Sequence, residues 1–159
     1  MKKVTLLNLI IAFSLASGSA LAAETPSVQA APKDPGLERA RSAIAQKDWT
    51  GAQSILREQL ARDSKNPEYH NLYAYANRKS QNPDMSLVFK HYNEALTLDP
   101  KHRGAHEYIG EAYLMVNNVA KAKEHLAQLD KICFFSCNEF TDLKKAVETY
   151  EKTGKTSVR

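Results

Sequence analysis

Residues 99–129, DPKHRGAHEYIGEAYLMVNNVAKAKEHLAQL, constrain the fold more than any other stretch of the chain. A helical apolar period starts after Asp99-Pro100, breaks at Asn117-Asn118, and resumes as a second amphipathic helix. Gly110 and Ala122 are small where two helices must touch; Tyr113 and Leu126 are bulky fillers one turn further along. A helical hairpin of about 34 residues cannot bury both its apolar faces alone, so it implies stacked neighbours and a groove presented by the stack.

Residues 1–22 read as a secretory signal peptide. Lys2 and Lys3 supply a positive start, residues 4–15 are an apolar run too short to span a bilayer, and Ala20-Leu21-Ala22 offers small residues for cleavage. No cysteine follows the run, so no lipid anchor is expected. The expected product is periplasmic, without stable membrane insertion. The chain carries 22 basic and 18 acidic residues, a formal net charge of +4, and loss of Lys2 and Lys3 halves that excess. The remaining bases are interleaved with acids, which gives no footprint for nucleic acid.

Residues 23–35, AETPSVQAAPKDP, hold three of the six prolines and almost no large apolar side chain, so they are expected to be a flexible leader. Residues 36–152 are long enough for one domain with one continuous core, and they lack an alternating strand pattern. The expected fold is all-α, with a disordered tail over 153–159.

Three helical pairs and a last helix follow from the spacing. Leu37, Ala40, Ile44 and Ala45 make one stripe, Lys47-Asp48-Trp49 a turn, and Ala52, Ile55, Leu56 and Leu60 the next stripe. Trp49 could stack on a ligand, but at this turn it is expected to pack across the hairpin. The second pair opens at Asn66-Pro67 with Tyr69, Leu72, Tyr73 and Ala76 inward, and breaks around Pro83. It resumes after an Asp84 N-cap with Leu87, Val88, Tyr92, Ala95 and Leu96. Phe140, Leu143, Ala146, Val147 and Tyr150 define the final helix, and the Ser136…Glu139 spacing predicts a capping box that starts it.

Tyr108, Gly110, Tyr113, Ala122 and Leu126, followed by a further helix, resemble a tetratricopeptide repeat with its capping helix. Trp49, Ala52 and the 63–67 break match half of an earlier repeat. Ala74, Tyr92, Ala95 and Leu98-Asp99-Pro100 match another, with about two extra residues around Asn82-Pro83-Asp84. The resemblance implies a TPR-like α-solenoid of about three helix–turn–helix pairs plus a capping helix, in which the first helix of each pair lines a concave surface. The exposed positions on those helices would be Arg41, Asn71, Tyr75, Arg78, Lys79, Glu107, Tyr108 and Glu111, basic early and acidic late. A protein or peptide of the cell envelope, with an opposite charge gradient, is the expected partner.

Cys133 and Cys137 carry the sharpest chemistry. In an exported chain they favour a disulfide, which for so short a loop contributes roughly 2 kcal/mol. Two other readings stay open: a Cu(I) site, with His125 two turns away as a further candidate ligand, and a reversible redox pair. His102 and His106 are four apart, but His102 falls before regular helix, so no metal is expected there. The sequence has no nucleophile elbow, phosphate loop or zinc-protease motif. The expectation is a non-catalytic scaffold without cofactor, with thiol or copper handling at Cys133 and Cys137 as the alternative.

Overall fold

Seven α-helices organise residues 34–156, the part of the chain described by the computed structural model, and no strand occurs among them: α1 (Pro35–Ala45), α2 (Trp49–Arg62), α3 (Pro67–Arg78), α4 (Met85–Leu98), α5 (Arg103–Met115), α6 (Val119–Ile132) and α7 (Asn138–Thr153). The all-α expectation is met. The signal peptide and most of the leader lie outside the described residues; the leader's last two residues, Asp34 and Pro35, begin α1. None of the described helices is long and apolar enough to cross a membrane.

Local chemistry sets six of the seven starts. The side chains of Asp34, Asp48, Asn66, Asp84, His102 and Asn118 each accept from backbone N–H groups of the first turn, a contribution of about 1 kcal/mol per cap. The Ser136 capping box does not form. Ser136 takes a left-handed φ of 78°, the cap position falls to Cys137, and α7 starts without a side-chain cap. Cys133 closes α6, and its disulfide to Cys137 ties the two helices across a Cα–Cα distance of 5.7 Å.

No pair of helices closes its own core. Ala40 of α1, Leu56 of α2 and Tyr69, Leu72 and Tyr73 of α3 make one buried cluster. Ala74, Val88 and Tyr92, with Ile109 and Ala112, carry the pattern across α3, α4 and α5. Leu114, Ala122, Leu129, Leu143, Ala146 and Val147 complete it across α5, α6 and α7. Each cluster spans three successive helices. In the first stripe Ala40 is buried as expected, but Ala45 is exposed and Ala43 is buried in its place.

Contacts follow the same order. Every helix packs on the next, and α1·α3, α3·α5 and α5·α7 also touch, whereas no contact joins α2, α4 and α6 to one another. The odd helices therefore crowd together along one side. Gly110 makes the α5·α7 approach possible: a Cβ there would lie 2.6 Å from Leu143 Cδ2. Gly110 thus accommodates Leu143 of α7, a neighbour that the hairpin pattern does not name.

Two histidine dyads lock the second and third hairpins. His70 Nε2 lies 3.0 Å from the Ser64 carbonyl, so it carries the proton, and His70 Nδ1 accepts from His91 Nδ1 at 2.8 Å. His106 repeats this with the Pro100 carbonyl at 3.1 Å and His125 Nδ1 at 3.0 Å. Burial, then the neighbouring histidine, pushes His91 and His125 each down to about 4, which keeps the outer ring of each dyad neutral at pH 7.

Gly110→Ala gains helix propensity but drives a methyl into Leu143, and overpacking of this kind costs roughly 1–3 kcal/mol. Urea denaturation should show a net loss for Gly110→Ala. The Gly110→Ala/Leu143→Ala double variant should lose clearly less than the sum of the single losses; strict additivity would contradict this seat for α7.

Candidate functional site

The crowded side of α1, α3, α5 and α7 carries the eight side chains expected to meet a partner, and the structure sorts them into three groups. Arg41, Asn71, Glu107 and Tyr108 line one open cleft of about 470 Å³, together with Glu68, Leu72, His102 and Gly104 and, from the first turns of α7, Asn138, Glu139 and Asp142. Tyr75 and Lys79 line a second cleft of about 510 Å³ with Ile44, Ala45, Lys47 and Trp49. Arg78 and Glu111 form an ion pair.

That pair corrects the reading of Arg78 as an exposed contact. Its guanidinium is buried, with Nη2 donating to Glu111 Oε2 at 2.7 Å and Nε to the Tyr92 hydroxyl at 3.4 Å. It also lies 5.5 Å from the Tyr75 ring centroid and 5.8 Å from that of Tyr108. The rings lie 4.7 Å apart themselves. Removing one member of so buried a pair leaves the other uncompensated, at roughly 3–5 kcal/mol. Arg78 therefore fixes the spacing of α3 and α5 and the tilt of both tyrosines. Asn71 and Glu107 are likewise buried rather than exposed.

Trp49 meets Tyr75 edge-on at 6.2 Å. Its ring partner is thus in the next helical pair, and the indole lines the second cleft with Ile44 and Ala45 of its own hairpin.

In the first cleft, Glu68 is the organising acid. Its carboxylate accepts from Arg41 Nη2 at 2.9 Å, from Asn71 Nδ2 at 3.1 Å and from His102 Nε2 at 3.0 Å. His102 Nδ1 accepts from the Ala105 N–H at the start of α5, which puts the proton on Nε2 and points it at Glu68. Burial opposes ionisation of Glu68, but these three donors hold its carboxyl below the usual range.

Glu107 is the opposite case. It is 9% exposed. Burial first, then the charges of Glu111, Asp142 and Glu139, push it up to about 8. Nearby Asn71 Oδ1 is buried without a hydrogen-bond partner. The cleft thus combines a buried acid whose ionisation is opposed with the carboxyls of Glu139 and Asp142 on α7. Such a site can accept hydrogen bonds and concentrate positive charge.

The repeat resemblance brought out Arg41, Asn71, Glu107 and Tyr108. It missed Glu68, His102, Glu139 and Asp142 as cleft residues. The acidic first turns of α7 were visible in the sequence, but Glu139 was assigned to a cap. Among the described residues, no group of three or more His, Cys, Asp or Glu is placed to hold a metal ion. Both cysteines are engaged in the disulfide. No protein-family model matches the chain, and no curated protein matches its sequence.

Glu107 also has a stability signature. Its folded pKa lies above the ordinary 4.5, at about 8, so the folded chain holds a proton that the unfolded chain releases within that window. The contribution is fully present below pH 4.5 and is lost as pH rises through 8. Glu107→Gln should melt near the wild-type temperature at pH 4.5 and several degrees above it at pH 9. A difference independent of pH would contradict the assignment.

Proposed function

We propose that this chain is a non-catalytic, exported interaction scaffold: a tetratricopeptide-like stack of three helical pairs and a capping helix that holds a segment of another protein on its odd-helix face. The observation that supports this most is the packing order. Odd helices touch in series while even helices do not, so one side of the stack is drawn inward, and both clefts open among residues from that side and its turns. The shared three-helix core clusters fit the nearest-neighbour logic of repeat proteins.

The periplasm is the proposed compartment, on the strength of the charged, apolar and small-residue order of residues 1–22. The disulfide suits an oxidising location and disfavours the reading in which Cys133 and Cys137 act as a thiolate pair. Tyr75, Tyr108 and Trp49 supply large, stiff contact surfaces of the kind that dominate interface energies.

Site-specific photocrosslinking in the native cell envelope tests the face. A crosslinker at Lys79 or Asp142 should yield discrete adducts, whereas one at Arg57 of α2 or Glu94 of α4 should not. Equal adducts from both sets, or none from the first, would remove the odd-helix face from the account.

A further inference from the structure

The acid-lined cleft between α3, α5 and α7 has more acceptors than the protein itself can satisfy. Glu68 is saturated by Arg41, Asn71 and His102, and Glu111 is taken by Arg78. Glu139 has only a distant partner, Arg103 Nε at 3.8 Å. Glu107 is 91% buried and lines the cleft with no hydrogen-bond or ion-pair partner among the described residues. A largely buried carboxyl without a partner is costly, so its presence at an open cleft marks a place for a donor from outside.

We infer that this cleft receives an arginine side chain of the bound peptide, its guanidinium donating to Glu107 and to the acids beside it on α7, Glu139 and Asp142. This rests on the peptide-scaffold reading and names the chemistry that the cleft selects. The acceptors are three carboxyls on two different helices, which suits a planar fork with five N–H donors better than the compact ammonium of lysine. The molecule already uses this chemistry on the other side of the cleft wall, where Arg78 pairs with Glu111 and lies over the Tyr108 ring. The partner is therefore basic where it crosses α5 and α7.

Proton linkage follows. Glu107 faces Glu111 on its own helix, Asp142 and Glu139 on α7, and Arg78 on α3; burial and the three acids keep it protonated at pH 7. A guanidinium arriving beside it favours the carboxylate, so binding releases the Glu107 proton to solvent.

The test is an NMR titration of the full chain with acetyl-Ala-Ala-Arg-Ala-Ala-amide and with the same peptide carrying citrulline or lysine. The arginine peptide should shift the Gly104 and Ala105 amides and bring the Glu107 carboxyl pKa from about 8 to below 7. The citrulline and lysine peptides should each bind roughly tenfold more weakly, as should the arginine peptide to Glu107→Gln, whose unchanged amide pattern would show an intact fold. Equal binding of citrulline or lysine at these amides would overturn guanidinium recognition and leave the peptide-binding face standing. An arginine peptide that shifts nothing would overturn it too. The face itself would fall only if the Lys79 and Asp142 crosslinks were also absent.

Discussion

The structure depends on a shortage of partners within each hairpin. Two amphipathic helices bury one interface between them and leave another apolar stripe uncovered; only the next helix covers it. Leu56 and Tyr92, both fully buried, each sit in a cluster completed from a helix beyond their own pair. The chain must therefore continue stacking until a helix arrives with one apolar side only. Helix α7 is that helix. Leu143, Ala146 and Val147 face the stack while Lys144, Lys145 and Glu148 are exposed, and the disulfide fixes where it begins.

Polar contacts then give the stack its register. The His70–His91 and His106–His125 dyads sit at corresponding places in two hairpins and end on the Ser64 and Pro100 carbonyls. Arg78 with Glu111 joins α3 to α5 at depth. A buried charge tolerates little displacement of its counter-ion, so this pair sets the helix spacing more sharply than apolar contact alone. The same spacing bears on both clefts, because Arg78 lies against Tyr108, which lines the first, and Tyr75, which lines the second.

Helix number, most breaks between helices and most core positions were legible because they depend on chemistry within one turn. Asp84 and Asn66 cap where their neighbours predict, and Val88, Tyr92, Leu143 and Val147 are buried as their period requires. What escaped depends on residues far apart in the chain. Gly110 was recognisable as a close contact, but periodicity within α5 cannot name Leu143 of α7 as its neighbour. Arg78 has the spacing of a solvated residue until Glu111 is placed beside it. The Ser136 box fails because the closed Cys133–Cys137 loop turns through a left-handed Ser136. The acidic rim stayed hidden for the same reason, since Glu139 and Asp142 join Glu107 only after α7 docks.

Docking of α7 on α5 is thus the central claim: it closes the core and brings Glu139 and Asp142 into the cleft with Glu107. Side-chain NOEs test it most directly. Cross-peaks from the Gly110 α-protons to the Leu143 methyls should be among the strong long-range contacts of the folded protein. Their absence, with Leu143 contacting α6 alone, would contradict the arrangement on which the functional reading stands.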